Sequence, residues 1–482
     1  MTRLTPLTLA VALACLPTVH AAKLAKPRGN APMMLALTLT PALASATQAA
    51  PPVADTVTAS DTAAPAASLA AIYRDAQAYD AQFAAAKAAL QAGREKAVQG
   101  RAGLLPQVSI SGNASYNEIE STLPGGDAEY DSNGYGINAS QPLFRMQNWV
   151  AYGQAKNQTK ITEVQYRLAE QDLILRTAQA YFDVLQSQDN IAFINAQKAA
   201  ISEQLASAKR NFEVGTATIT DTHEAQARFD LAVAQEIAEQ NALNIRLRAL
   251  EKLVGHPVGA LNTLVEPAVL TPESGSIDEW AERAASGSLQ AEIQRLNKAI
   301  ADQEVSRNRA LLYPTLDAFA GYTVNNGQNF GSLQVDNRTA TIGIELNVPV
   351  YQGGQGSSRI REAVANQTKA RQELEAATRD AGQTARQAWL NVNSGIARVR
   401  ALEQALTSTQ AQLSSTKLGL QVGVRTSLDV LDAEQQVLSA RRDLAGARYE
   451  YLLSGLALKA ADGSLKPDDL AVIDQHLKPT AQ

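Results

Sequence analysis

The spacing of apolar residues predicts two long helical hairpins. Proline is absent from 143–256 and from 350–466, and each stretch is interrupted by one Val-Gly pair, at Val214-Gly215 and at Val422-Gly423. On either side of these breaks, apolar residues recur at intervals of three, four and seven, as in coiled coils. The first series is Val184, Ile191, Ile194, Ile201, Leu205, Ala208 and Phe212, and the second is Leu428, Leu431, Leu438, Ala445, Tyr449, Leu452 and Leu456.

The two arms of each hairpin differ in length. The outgoing arms, 143–214 and 351–422, hold about 70 residues each, so at 1.5 Å per residue they reach roughly 100 Å. The return arms are only half as long. We predict that 69–105 and about 288–312 are helices that stack end to end on the return arms and complete each rod. Rods of this length suit a structure that spans a compartment.

At the far end of each rod the apolar period changes to two, which predicts β-strands. Four strands of about ten residues are expected, in pairs joined by polar loops at 121–134 and 325–338. A soluble β-sandwich is the alternative, but nothing in the chain would form its second sheet. The apolar alternation is carried by Val108, Ile110, Gly112, Ala114 and Tyr116, by Tyr135, Ile137 and Ala139, by Leu316, Ala318, Ala320, Tyr322 and Val324, and by Ala340, Ile342, Ile344, Leu346 and Val348.

We interpret these strands as membrane-spanning. Four strands cannot close a barrel, and open sheet edges are prohibitive in lipid, so several chains must pool their strands. The sequence therefore predicts a mainly α protein with a membrane β part that is shared between chains.

The two halves of the chain repeat one plan. A shift of about 208 residues carries Pro106 onto Pro314 and Gly255 onto Gly463. This duplication divides the chain into a signal region (1–50), a disordered mature terminus (51–67), a first repeat (68–255), a linker (256–287), a second repeat (288–463) and a C-terminal tail (464–482).

The N-terminal region carries two candidate export signals. Apolar runs at 9–16 and 33–43 follow basic residues and end in small residues, and we favour export with cleavage near 46–50. Cys15, the only cysteine, lies in a sequence that resembles a lipoprotein acylation site, although the usual first leucine is an alanine. Cleavage near 46–50 would leave a mature chain with no disulfide and no cysteine-based metal site.

Composition and charge exclude several classes of function. The chain has 43 Lys and Arg against 48 Asp and Glu without any basic block, so we expect no nucleic-acid partner. Aromatic residues make up only 5%, which is typical of long helices with thin apolar seams. The histidines are scattered, with neither metal-ligand spacing nor a neighbouring nucleophile, and we therefore expect no enzyme activity, no cofactor and no metal; they are His20, His223, His256 and His476.

Several motifs, in order along the chain, together resemble the TolC family of bacterial outer-membrane ducts for efflux and type I secretion. They are Leu104-Leu105-Pro106-Gln107, Ala180-Tyr181-Phe182-Asp183-Val184-Leu185, Pro349-Val350-Tyr351-Gln352-Gly353-Gly354 and the run from Val422 to Asp432. The resemblance covers about 68–475 and implies a homotrimer with a shared twelve-stranded outer-membrane barrel, a long periplasmic α-helical barrel, and an equatorial belt that would include the linker and the tail. It also implies partners: a periplasmic adaptor that docks on the hairpin tips and an inner-membrane pump of the RND or ABC type.

The resemblance also assigns a periplasmic gate to the hairpin tips. Thr220 and Asp221 match the family's Thr-Asp pair, and Arg425 matches the arginine that ties the neighbouring coil to it in the closed duct. Leu420 stands where the family has a tyrosine, so one hydrogen bond of this latch is missing. Asp429 and Asp432 match a six-carboxylate ring at the entrance of the trimer, which would favour cations.

Two simpler interpretations of these residues remain open. Thr218-x-x-Asp221 and Thr426-x-x-Asp429 are also capping-box patterns, which explain the two aspartates about as well as gating does. Arg425 and Asp432 fit equally on a solvated helix face. At the level of the whole chain, a periplasmic coiled-coil adaptor or a structural filament protein is the alternative function. An adaptor, however, would carry one hairpin rather than two, and a filament would need neither an export signal nor amphipathic strands.

Overall fold

The computed structural model describes residues 67–119, 128–216, 218–265, 274–330 and 333–478. The predicted signal region, Cys15 and almost all of the predicted disordered terminus lie outside these ranges. Nine helices are described: α1 (Leu69–Tyr79), α2 (Ala81–Ala102), α3 (Met146–Glu213), α4 (Ile219–Val254), α5 (Ile277–Gly287), α6 (Leu289–Ala310), α7 (Gln355–Gln421), α8 (Ser427–Ala461) and α9 (Asp468–Asp474). Six strands are described: β1 (Gln107–Ile119), β2 (Ala128–Phe144), β3 (Thr263–Leu264), β4 (Thr315–Phe330), β5 (Leu333–Asn347) and β6 (Leu477–Lys478).

The two predicted helical hairpins are confirmed. Helices α3 and α7 hold 68 and 67 residues, so each reaches roughly 100 Å, and they turn back into α4 and α8 with 36 and 35 residues. Helix α2 packs along α3, and α6 packs along both α3 and α7, as expected for the segments that complete each rod. The absence of proline and the apolar period together account for these long helices.

The predicted single helix over 69–105 is wrong, because the chain breaks at Asp80. The Asp80 carboxylate accepts a hydrogen bond of 2.6 Å from the backbone N–H of Phe83 and thereby caps the start of α2. The same carboxylate pairs with Arg176 of α3 at 3.1 Å and is almost buried. A tertiary ion pair therefore stabilises a break that the surrounding helix-forming residues do not indicate.

The four long strands form one antiparallel sheet in the order β1-β2-β4-β5. The strand register confirms that the alternating apolar residues share one face, because Ile110 pairs with Ile137, Ile137 with Tyr322, and Ala320 with Ile342. On this face Ile110, Ile342, Ile344 and Leu346 each have more than half of their surface exposed. The exposed face is apolar. Each outer strand, β1 and β5, has one edge that no strand of this sheet covers.

The strands are longer than the predicted ten residues and hold 13 to 17. Pairing continues into the intervals assigned to polar loops, where Asn133 lies opposite Asn326 and their side-chain amides are hydrogen-bonded at 3.0 Å. The hydrogen bonds between strands are made by backbone groups. They therefore continue through polar residues, which do not contribute to the apolar period.

Helix α5 lies within the interval 256–287, and strands β3 and β6 join that interval to the C-terminal tail in a two-stranded antiparallel sheet. The tail also caps the first helix, because the Asp474 carboxylate accepts hydrogen bonds from the backbone N–H groups of Leu69 and Ala70 at 2.8 and 2.9 Å. Ala67, the last residue of the predicted disordered terminus, forms a parallel bridge with Leu261.

The largest apolar core lies at this middle level, about halfway along α3. Tyr181 and Phe182 of α3 are fully buried there, and residues of α1, α4, α8 and α9 pack around them. We call this level the equator. None of the described helices is long and apolar enough to cross a lipid bilayer.

Candidate functional site at the hairpin tips

The two hairpins end in turns of the same geometry. Gly215 and Gly423 have φ values of 76° and 78°, in the left-handed region where side chains are strained, and each follows the valine that ends the outgoing helix. Val214, Val422 and Val424 each leave about two thirds or more of their surface exposed. The tips therefore present bare apolar side chains beyond the last turn of the helices.

A capping box starts each return helix. The Thr218 backbone N–H donates to Asp221 Oδ2 at 3.0 Å, and the Asp221 N–H donates to Thr218 Oγ1 at 3.3 Å. Thr426 and Asp429 repeat this arrangement, at 2.8 Å and 3.2 Å. The capping interpretation of both aspartates is confirmed, and Thr220 lies exposed beside the first cap.

Arg425 is placed over its own hairpin tip. Its backbone N–H donates to the Gly419 carbonyl at 3.2 Å, and its guanidinium lies 4.0 Å from Asp429 Oδ1. Hydrogen bonds from Thr426, together with the charge of Arg425, hold the pKa of the Asp429 carboxyl below its ordinary value. Leu420, where the resemblance expects a tyrosine, lies in the last turn of α7 and is about one third exposed.

Asp432 has a different partner, which the sequence did not reveal. Arg228 of α4 donates from Nη1 to Asp432 Oδ1 at 2.6 Å and from Nη2 to Glu224 Oε1 at 3.0 Å. The Asp432 carboxylate, with a smaller contribution from Glu224, raises the pKa of Arg228. The spacing of Glu224 and Arg228 signals a pair within one helix, but no local pattern connects Arg228 with a residue 204 positions away.

A small apolar cluster supports this ion pair. Ala232 of α4, Ile201 of α3 and Leu431 of α8 are buried together, and Phe229 packs against them. Near the tips, this apolar cluster and the Arg228–Asp432 ion pair join the return helices of the two hairpins. Asp429 and Asp432, which the family resemblance assigns to one ring, have different surroundings in the structure.

Within the described ranges, no three histidine, cysteine, aspartate or glutamate side chains lie together in a group that could hold a metal ion.

The fold matches that of solved outer-membrane channels. The Campylobacter jejuni CmeC outer membrane channel superposes with a TM-score of 0.70 at 16% identity, over 85% of this chain and 89% of that one. At that identity the likeness establishes the fold, a helical barrel with a β domain.

Sequence comparison establishes the family. The model of the family described as outer membrane efflux protein matches residues 72–256 and again 281–464, once in each repeat. Outer membrane protein TolC of Vibrio cholerae is 35% identical over 416 residues, covering 85% of this chain and 94% of that protein. The alkaline protease secretion protein AprF of Pseudomonas aeruginosa is 32% identical over 403 residues, covering 82% and 84%. The chain belongs to the outer membrane efflux protein family.

Membership of this family defines the class of function. The chain is an outer-membrane exit duct of the efflux and type I secretion type, with a large periplasmic helical portion. Members of the family are homotrimeric channels that work with adaptors and inner-membrane pumps. The function expected from the sequence is thereby confirmed.

Proposed function

We propose that three copies of this chain pool their β1-β2-β4-β5 sheets into one twelve-stranded barrel in the outer membrane. The observation that carries this proposal is the exposed apolar face of β5, where Ile342 is 87% exposed, next to an uncovered strand edge. In lipid both the face and the edge need cover, which lipid tails and the strands of a neighbouring copy would supply. The division into repeats at 68–255 and 288–463 is part of the same proposal.

The hairpin tips would dock the adaptor. Val214, Gly215, Val422 and Gly423 form two exposed apolar turns, and such surfaces are typical of protein contacts. The pump behind the adaptor would be of the RND or ABC type, passing small molecules, proteins or both. The name of the AprF relative, a protease secretion protein, favours protein cargo among the substrates.

The gate would form between copies at the same level. The cap uses Oδ2 of Asp221, so Oδ1 is placed to accept a hydrogen bond from an incoming Arg425, and Thr220 lies exposed beside it. Leu420 supplies no hydroxyl to this latch.

The entrance would carry a ring of carboxylates. Asp429 and Asp432 lie one turn apart at the start of α8, and Asp432 is 56% exposed. Three copies would bring six carboxylates to one constriction, where their summed potential attracts multivalent cations more strongly than a lone surface acid does.

The duct and the ring are tested together by planar-bilayer recording with La³⁺ added on the periplasmic side. We expect the wild-type protein to conduct and La³⁺ to block it. Asp429→Asn with Asp432→Asn should abolish the block, and asparagine keeps the cap that alanine would lose. Asp380→Asn on α7, which is also exposed, is the matched control. A protein that never conducts overturns the duct, whereas block that persists in the double variant overturns the ring.

A further inference from the structure

Arg228 connects the two hairpins of one chain. Among the residues that the structure describes, the other ion pairs near the tips lie within one hairpin, such as Lys417 of α7 with Glu434 of α8 at 2.7 Å. The bond from Arg228 to Asp432 runs from α4, in the first repeat, to α8, in the second.

The bond between Arg228 and Asp432 lies at a level where the two hairpins can move apart. The hairpins are joined again at the equator, where Tyr449 of α8 packs on Phe182 of α3. Tyr449 lies 17 residues after Asp432, roughly 25 Å along the helix. A pivot at the equator would therefore separate the helices most at the level of Arg228.

The ion pair between Arg228 and Asp432 contributes little stability, and its loss changes the charge balance around Asp432. Arg228 and Asp432 are 29% and 56% exposed, and pairs with this exposure contribute little stability individually. When the helices separate, Arg228 keeps Glu224, its neighbour at i−4 on the same helix. Asp432 is then the group that loses its counter-charge.

We propose that Arg228 is an intrachain clasp that holds α4 to α8 and neutralises Asp432 while the entrance is closed, and that opening releases Asp432 so that the entrance becomes more negative as it widens. The proposal rests on the proposed duct function of this chain. It makes Arg228 a residue that sets both the resting width and the ion selectivity of the entrance.

The first test of the clasp is single-channel conductance. Arg228→Gln and Asp432→Asn both remove the bond, so both should raise conductance, by about twofold or more, above that of the wild type. Arg228→Lys, which keeps the charge, should stay close to the wild type. The exchange Arg228→Asp with Asp432→Arg rebuilds the pair in reverse and should restore low conductance. Arg248→Gln is the matched control, because it makes the same substitution nearer the equatorial end of α4, and it should leave the conductance unchanged.

The second test is the K⁺ to Cl⁻ permeability ratio, obtained from the reversal potential in a KCl gradient. Arg228→Gln leaves the carboxylates of Glu224 and Asp432 without their counter-charge and should raise the permeability ratio by about threefold to tenfold. Asp432→Asn removes one negative charge and should lower the ratio. If Arg228 only held the helices together, losing the bond would change the permeability ratio of both variants in the same direction. Heat-resistant trimers on unboiled gels serve as the control for folding.

The outcomes separate the clasp from the ring. If La³⁺ blocks the wild type but Arg228→Gln changes neither conductance nor permeability ratio, the clasp is overturned and the ring stands. If La³⁺ never blocks, yet the two variants shift the permeability ratio in opposite directions and the exchange restores low conductance, the ring is overturned and the clasp stands. Shifts in the same direction, or an exchange variant that does not restore low conductance, also overturn the clasp.

Discussion

The Tyr449 hydroxyl donates a hydrogen bond of 2.7 Å to the Asp189 carboxylate, across 260 positions of sequence. The bond joins α8 of the second hairpin to α3 of the first, and the Tyr449 ring is stacked on Phe182 with centroids 5.5 Å apart. The two hairpins are therefore tightly joined at the equator. The tips, in contrast, meet through a small cluster and an exposed ion pair, so the structure favours motion at the tips over motion at the equator.

Removing the Tyr449 hydroxyl tests how strongly the equator is held. Tyr449→Phe keeps the stacking but removes the hydrogen bond to a carboxylate, so we expect a loss of about 1–2 kcal/mol in the free energy of unfolding. Tyr449→Ala should cost about 3–5 kcal/mol, because it also removes buried aromatic area. Denaturant unfolding of the detergent-solubilised protein measures both. Tyr351→Phe, at an exposed tyrosine, should have no effect, and equal losses in Tyr449→Phe and Tyr351→Phe would contradict the prediction.

The break at Asp80 should make stability depend on pH. Burial raises the pKa of the Asp80 carboxyl, but hydrogen bonds from Arg176 and from the Phe83 N–H outweigh it, so the folded pKa lies below its ordinary value. A lowered pKa contributes stability that is complete above the unfolded value of about 3.9 and is lost as pH falls through the folded value.

Asp80→Asn isolates this charge, because asparagine still caps α2. We expect it to cost about 1–2 kcal/mol at pH 7, and the difference from the wild type should shrink below about pH 4. Unfolding curves over pH 3 to 7 measure the difference. A gap of constant size down to pH 3 would show that the charge of Asp80 is not the cause.

The gate is tested by substitutions that act in opposite directions. Arg425→Ser removes the proposed bond to Thr220 and Asp221 and should raise single-channel conductance. Leu420→Tyr supplies the hydroxyl that the latch lacks and should lower conductance below that of the wild type. If neither variant alters conductance, Arg425 is a surface charge that serves Asp429 of its own tip.

The lipid-facing assignment of β5 is tested by placing a charge on each face. Ile344→Arg puts the charge on the exposed apolar face, which costs about 2–4 kcal/mol near the bilayer midplane, so the yield of heat-resistant trimer in outer-membrane fractions should fall. Thr341→Arg lies on the opposite face of the same strand and should leave the yield nearly unchanged. Equal yields for the two variants would argue against a membrane position for this sheet.

The sequence by itself determined the features that depend on local chemistry. Absence of proline and a helical apolar period define α3, α4, α7 and α8, and a period of two defines the four long strands. Positive φ is easiest for glycine, so Gly215 and Gly423 indicate where the hairpins turn. The capping boxes could also be identified, because their partners lie three residues apart.

Only the tertiary structure decided the features that depend on distant partners. The carboxylate at the Asp80 break pairs with Arg176 of α3, a partner that no local pattern indicates. The strands extend beyond their apolar pattern because backbone pairing continues between polar residues. Asp432 differs from Asp429 in its partner, because Arg228 of the other repeat donates a hydrogen bond to it. A period or a motif depends on residues that are close together in the sequence. An ion pair across 204 positions, in contrast, exists only after the helices have packed.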